Sequence, residues 1–161
     1  MTPWVIEPLA SSADIDGILQ VEEASFTNPW TREMYEAELR NEGTAFFYLA
    51  RDNTRRVVGF CSCWRVLDEL HINNLAVLPE FRNHRIGSTL LTHVLEHGHR
   101  LGATRALLEV RQSNQPARRL YERFGFTVSG IRREYYSQPV EDAVVLWREL
   151  PGSEKDASRR P

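Results

Sequence analysis

Hydrophobic and polar positions alternate along this chain first with the period of a strand and then with that of a helix, and the switches mark its elements. Trp4–Leu9 alternates as a first strand, which Pro8 confines to a sheet edge or an early end. Ser11 and Ser12 offer helix caps, and Ile15, Ile18, Leu19 and Val21 follow at helical spacing. Asn28-Pro29-Trp30 breaks that helix. Thr31 caps a second one, with Met34, Tyr35 and Leu39 on one face and Gly43 just beyond its end. Three strand-like runs come next, Ala45–Ala50, Val57–Val66 and Glu69–Val77. The polar turn Asp52–Arg56 and a short turn near Leu67-Asp68 join them, and such short links imply an antiparallel meander.

The period then changes. Ile86, Leu90, Leu91, Val94, Leu95 and Leu101 form an apolar stripe at helical spacing, and Gly102 is a terminator. Ala106–Val110 reads as a short, nearly continuous apolar strand of the buried kind. Pro116 sits in the first turn of another helix, where Leu120, Tyr121 and Phe124 share a face and Gly125 stops the run. Two final strands, near Thr127–Tyr136 and Asp142–Glu149, leave room for a hairpin-like return. The predicted order is strand, two helices, three strands, helix, strand, helix, two strands. Helices before and after a meander predict an α/β (α+β mixed) fold, with a mixed, mostly antiparallel sheet of about seven strands covered on both faces. Residues 1–150 read as one domain, and the polar stretch 151–161 as a disordered tail.

Composition narrows the function classes. At 161 residues, 42% of them apolar and 26% charged, the chain has material for a core that needs no disulfide or metal. A net charge of −2 carries no global basic field for nucleic acid or an anionic membrane. No apolar run approaches the roughly 20 residues of a bilayer span, and the N-terminus lacks a secretory pattern, so a cytoplasmic protein is expected. Cys61 and Cys63, two apart in one strand, read as reduced thiols that pack rather than pair. His93 and His97 lie four apart on a helix, but there is no H-E-x-x-H and no evident third ligand. They read as a solvated helix face, and no metal is expected.

The most informative stretch runs from Leu75-Ala76-Val77 through Pro79 to Arg82-Asn83-His84-Arg85-Ile86-Gly87-Ser88. A strand ends, Pro79 forces a turn, and a helix opens at Ile86-Gly87. The first N–H groups of a helix have no internal partners and carry the positive end of its dipole, which suits a phosphate or pyrophosphate. Arg82 and Arg85 add cationic donors. The same pattern also describes a solvated, Arg-rich helix start. A Walker loop and a Gly-x-Gly-x-x-Gly after the first strand are both absent.

Strand, Pro, turn, Arg82-x-x-x-x-Gly87 and helix together resemble the acyl-CoA signature of the GNAT acetyltransferase superfamily, Gln/Arg-x-x-Gly-x-Gly/Ala. Arg82 and Gly87 match its ends. Arg85 stands where the signature has its first glycine, and a positive φ there would strain a residue that carries a side chain. Glu109-Val110-Arg111-Gln112-Ser113-Asn114, followed by Ala117-x-x-Leu120-Tyr121-x-x-x-Gly125-Phe126, resembles the later GNAT motif. Within the superfamily the match is to the bacterial RimI group, which acetylates the N-terminal alanine of a small-subunit ribosomal protein. Ala24–Trp30, Arg132–Tyr136 and Glu141-Asp142-Ala143 extend that resemblance over residues 4–148.

The resemblance implies acetyl-CoA as co-substrate, a protein N-terminus as partner, and direct transfer in a ternary complex. It places a general base at Glu109 and a general acid at Tyr121. Read from the residues alone, Glu109 is an exposed strand carboxylate or a base near the C-terminal end of its strand. Tyr121 is a core aromatic or that acid. Asn114 caps a helix, holds the pantetheine arm, or does both. The backbone of Leu75–Val77 is suited to pair with pantetheine amides and to face a developing oxyanion. Trp30, Tyr135 and Tyr136 are candidate walls for the acceptor or ordinary packing. Glu141 and Asp142 attract a basic substrate tail or are solvated turn acids. Two other readings stay open: a GNAT acting on a lysine or small amine, and a non-catalytic acyl-CoA sensor. No nucleic-acid or membrane partner is implied, and the oligomeric state is left open.

Overall fold

A computed structural model describes residues 4–26, 28–40 and 44–150. In chain order these form β1 (Trp4–Pro8), α1 (Ile15–Ser25), α2 (Arg32–Leu39), β2 (Ala45–Asp52), β3 (Val57–Val66) and β4 (Glu69–Val77). They continue with α3 (Ile86–Arg100), β5 (Arg105–Arg111), α4 (Gln115–Arg123), β6 (Thr127–Tyr136) and β7 (Glu141–Glu149). Short 3-10 turns at Ser12–Asp14 and Pro79–Phe81 precede α1 and α3. The order is the one the hydrophobic pattern predicts, and the seven strands form a sheet ordered β1-β2-β3-β4-β5-β7-β6. Gly43 and the stretch 151–161 lie outside the described residues. The described residues divide into two compact bodies, one drawn from residues 4–64 and 72–96, the other from 65–71 and 97–150.

In the first body β1 runs antiparallel to β2 and β2 antiparallel to β3, with β1 at the edge where Pro8 confines it. Ile15, Ile18 and Val21 of α1 are fully buried, each worth about 1.5–3 kcal/mol of apolar transfer. Thr31 caps α2 as its sequence predicts, its hydroxyl accepting from the Met34 N–H at 3.3 Å. Gly59 decides how closely α3 approaches the sheet. A Cβ there would stand 3.1 Å from the Ala76 carbonyl oxygen of β4 and 3.3 Å from Ile86 Cγ2 of α3. The absent side chain therefore lets the first turn of α3 sit close over β3 beside the end of β4. The Leu78 N–H donates to the Val58 carbonyl at 2.8 Å, fixing where β4 gives way to the loop.

Cys61 and Cys63 are free and buried, and burial raises the Cys63 thiol well above its ordinary value. Two expectations change. His93 is half-buried rather than solvated, because its ring packs on Tyr48 at 5.7 Å and its Nδ1 lies 2.9 Å from the Thr89 carbonyl. Leu101 leaves the apolar stripe: the helix ends at Arg100, Gly102 takes φ +94°, and Leu101 is 39% exposed.

In the second body β7 pairs antiparallel with β5 on one side and β6 on the other. The expected doubly buried β5 instead alternates. Ala106, Leu108 and Val110 are buried, while Leu107, Glu109 and Arg111 are half-buried on the other face. The period-2 pattern wins because Glu109 and Arg111 already break the apolar run. Asn114 caps α4 by accepting from the Ala117 N–H at 3.2 Å, Pro116 sits in its first turn, and Gly125 ends it at φ +87°. Strand β6 has register shifts between Val128 and Gly130 and between Arg132 and Tyr136.

Candidate active site

In the first body the candidate region is the end of β4 and the loop into α3. Ala76 is buried, and Leu75 and Val77 are half-buried. Arg82 Nε donates to the Val77 carbonyl at 3.0 Å, tying the loop to the strand. His84 Nδ1 lies 2.9 Å from the Arg82 carbonyl, and the Trp4 ring meets the imidazole edge-on at 5.6 Å. Asn83 and Arg85 both have positive φ, +66° and +65°. Asparagine adopts that conformation readily and arginine does not. Arg82 before them is extended, at φ −70° and ψ 158°, so the chain reverses sharply between the end of β4 and α3. The Thr89 N–H donates to the Arg85 carbonyl at 3.0 Å, so Arg85 is the residue from which α3 starts. The N–H groups of Ile86, Gly87 and Ser88 then have no carbonyl one turn back. With the exposed guanidinium groups of Arg82 and Arg85 beside them, this donor set fits a pyrophosphate.

In the second body the candidate residues lie on β5, α4 and the β6–β7 hairpin. Glu109 pairs opposite Val145 of β7 and is half-buried, with Arg132 Nη1 3.2 Å from its Oε2. The Arg132 guanidinium also stacks over the Tyr135 ring at 4.8 Å. Tyr121 is buried on α4, its ring against Phe126 at 5.6 Å.

Tyr135 and Tyr136 touch edge-on at 5.1 Å although neighbours in a strand face opposite ways. The irregularity before them, with Glu134 at φ +49°, makes this possible. Asp142 holds that irregularity by accepting from the Glu134 N–H at 2.8 Å, with Arg133 at 3.7 Å. Burial first, then the nearby charges of Tyr135 and Glu109, push the Tyr136 phenol up to about 12, so it is un-ionised at neutral pH.

Glu141 and Asp142 open β7 and are not turn acids in solvent. Glu141 accepts from the Ser113 N–H at 2.5 Å and from Arg111 Nη1 at 3.2 Å. The hydrogen bonds from Ser113 chiefly, and then Arg111, hold its carboxyl below the ordinary value. Arg111 also donates to the Ser137 and Pro139 carbonyls, each at 3.0 Å, and stacks over Tyr136 at 4.5 Å. It is a staple for the hairpin turn that sequence reasoning passed over.

Trp30 is half-buried beside Tyr35, ring to ring at 5.1 Å, and its N–H donates to Glu22 Oε2 at 3.0 Å. Glu22 was also passed over. Its signal was present: it lies seven residues after Ile15 and four after Ile18, a carboxylate on the apolar stripe of α1.

A strand end feeding a helix start in the first body, and a strand carboxylate with a capped helix bearing a tyrosine in the second, match what an acyl-CoA-dependent transferase needs. The sequence pattern of the Acetyltransferase (GNAT) family matches residues 15–126, and the chain belongs to that family. It is therefore an acetyl-CoA-dependent N-acetyltransferase. A Bacillus subtilis (strain 168) protein, named as a candidate ribosomal protein bS18-alanine N-acetyltransferase, is 40% identical over 83% of this chain and 88% of its own. The ribosomal protein bS18-alanine N-acetyltransferase of Salmonella typhimurium is 33% identical over 86% of this chain and 93% of its own. Among solved structures, the ribosomal-protein-S18-alanine N-acetyltransferase of Escherichia coli superposes with a TM-score of 0.83 at 28% identity, covering 91% of this chain and 94% of that one.

Proposed function

We propose that this enzyme acetylates the N-terminal α-amine of a protein, the alanine that begins ribosomal protein bS18. The observation that carries the substrate is the 40% and 33% identity, over more than four-fifths of the chain, to relatives named for that reaction. Residues 1–150 serve as the catalytic domain. Acetyl-CoA supplies an acyl thioester, an activated acetyl group with a thiolate leaving group. Its pyrophosphate is taken by the N–H groups of Ile86, Gly87 and Ser88 with the Arg82 and Arg85 side chains, Asn83 and His84 shaping the turn. The backbone of Leu75, Ala76 and Val77 pairs with the pantetheine amides and offers an N–H to the developing oxyanion. Asn114 caps α4 through Oδ1 and offers Nδ2 to the same arm.

The acceptor is an ammonium of pKa about 7.7–8.0 and must lose a proton before its nitrogen attacks. Glu109 takes that proton, directly or through a water. Arg132 already sits on Glu109 Oε2, so the ammonium arrives in competition with a guanidinium. As the new C–N bond forms and the C–S bond breaks, the Tyr121 hydroxyl gives a proton to the departing sulfur, and the second proton shed by the nitrogen returns through water to the phenolate, so the product is a neutral amide and a free thiol. A thiol of pKa about 8.5 leaves acceptably as thiolate, so the acid assists the step rather than enabling it. Trp30, Tyr135 and Tyr136 wall the acceptor. Glu141 and Asp142 hold the hairpin that presents the two tyrosines, and their charge favours a basic tail.

Labelled acetyl-CoA offered with peptides beginning Ala, Ser or Met, and with an acetyl-blocked Ala peptide carrying an internal Lys, tests the reading. Label confined to the free Ala peptide supports it. Label in the blocked peptide assigns a lysine acceptor, and CoA binding without turnover assigns a sensor.

A further inference from the structure

Among the described residues, the least accessible charged side chain in the first body takes no part in the chemistry above. Glu22 is 1% exposed, on a helix whose other buried residues are Ile15, Ile18 and Val21. A carboxylate removed from water is costly unless its oxygens find donors. Here both do. Oε2 accepts the Trp30 N–H at 3.0 Å, and Oε1 accepts the Tyr35 hydroxyl. The Tyr35 oxygen in turn accepts from Asn74 Nδ2 of β4 at 3.4 Å. The Tyr35 ring, itself fully buried, packs on Trp30 at 5.1 Å, Phe47 at 5.8 Å and Phe60 at 6.1 Å. Burial raises the Glu22 carboxyl above its ordinary value, while the Tyr35 and Trp30 bonds pull it back.

We infer that Glu22 is a positioning residue for acceptor recognition, clasping the Trp30 backbone so that the Asn28–Thr31 segment between α1 and α2 stays folded as an acceptor wall. This rests on the reading of Trp30 as part of that wall. The physical case is one of donor counting. An apolar residue at position 22 would fit the α1 stripe better, so core packing alone gives no reason for a carboxylate. What a carboxylate adds is two acceptors on one rigid helix. One holds the loop backbone, and the other orients the phenol against which the Trp30 ring rests. A backbone N–H held this way cannot be supplied by changing Trp30 itself, so position 22 is where the loop is set.

The test uses Glu22→Gln, Tyr35→Phe and the double variant, read by amide hydrogen exchange at Trp30 and by separate KM values for acceptor and acetyl-CoA. Glutamine has one acceptor oxygen for two donors and its NH2 can only donate, so either the Trp30 N–H or the Tyr35 O–H is left without an acceptor. Glu22→Gln should exchange the Trp30 amide faster and raise the acceptor KM by about tenfold, roughly 1.4 kcal/mol. Its kcat and acetyl-CoA KM should stay within about twofold. Tyr35→Phe removes the competing donor and leaves the carboxylate on Trp30, so its Trp30 amide stays protected. The double variant, in which the amide oxygen serves Trp30 alone, recovers part of the acceptor KM.

An unchanged acceptor KM in Glu22→Gln overturns the inference. So does a fall in all constants together, or a Tyr35→Phe effect as large as that of Glu22→Gln. If Glu22→Gln does not fold, an exposed Trp30 amide in Tyr35→Phe overturns it by itself. The KM values are read on whichever amine the enzyme takes, so a different acceptor removes the bS18 assignment without touching this result.

Discussion

Arg85 is the point at which the phosphate loop should be easiest to improve. It holds φ +65° at the start of α3, a conformation that costs a residue with a Cβ about 1–2 kcal/mol. Arg85→Gly removes that cost. Against it stands the greater freedom glycine has in the unfolded chain, about 0.5–1 kcal/mol. The difference leaves a gain of about 0–1.5 kcal/mol, and in a chain of this size each kcal/mol raises Tm by roughly 2–4 °C. Arg85→Ala is the control that isolates the backbone, since it removes the same guanidinium but keeps the Cβ. At a negative φ alanine is the more stable of the two replacements, and at a positive φ glycine is. The sign of the Tm difference between the Gly and Ala variants therefore reports the conformation itself. Differential scanning calorimetry at matched pH and salt measures it. A Gly variant melting below the Ala variant would refute the reasoning. The lost guanidinium is read separately: both variants should raise the acetyl-CoA KM alike at low salt, and the difference from the parent should shrink as ionic strength rises.

Other outcomes follow from the same geometry. Glu109→Gln should lower kcat/KM by about 100- to 10,000-fold, with the largest loss at low pH where deprotonation limits, and an unchanged pH profile removes Glu109 as the base. Arg132→Gln frees Glu109 Oε2 and should lower the acceptor KM by up to about fivefold, the worth of a half-exposed ion pair; a KM that stays or rises shows that the pair does not compete with substrate. Gly59→Ala presses a Cβ on the Ala76 carbonyl and on Ile86, and should cost about 1–3 kcal/mol in thermal unfolding while raising the acetyl-CoA KM; a silent substitution would mean that α3 shifts freely. Glu141 has a folded-state pKa lowered by Ser113 and Arg111, so its stabilisation is present above the unfolded value and lost as pH falls through the folded one. The Tm of the parent should accordingly fall more steeply than that of Glu141→Gln below about pH 4.5, and parallel curves would count against it.

What the sequence by itself determined was whatever local periodicity and turn chemistry dictate. Among the described residues the helices and strands appear in the predicted order because most carry a helix or strand period in their apolar positions, and several are bounded by Pro, Gly or a capping residue such as Thr31 or Asn114. The acyl-CoA loop was legible for the same reason, since a strand end, a proline and a helix start are contiguous in the chain. Tertiary structure decided which polar atoms meet. Glu22 joins Trp30 and Tyr35 only once α1 and α2 pack, and its place on an apolar stripe gave the position but no partner. Arg132 reaches Glu109 across 23 residues, and Arg111 staples a turn 26 to 28 residues away. Glu141 and Asp142 looked like solvated turn acids because their partners, Ser113 and Glu134, are backbone N–H groups that carry no side-chain signal. The φ of Arg85 shows the division most sharply. The family signature implied a glycine there, while only the folded loop shows that arginine takes the glycine conformation anyway. Packing around the start of α3, with Ile86 against the sheet where Gly59 makes room, outweighs the local preference of one side chain.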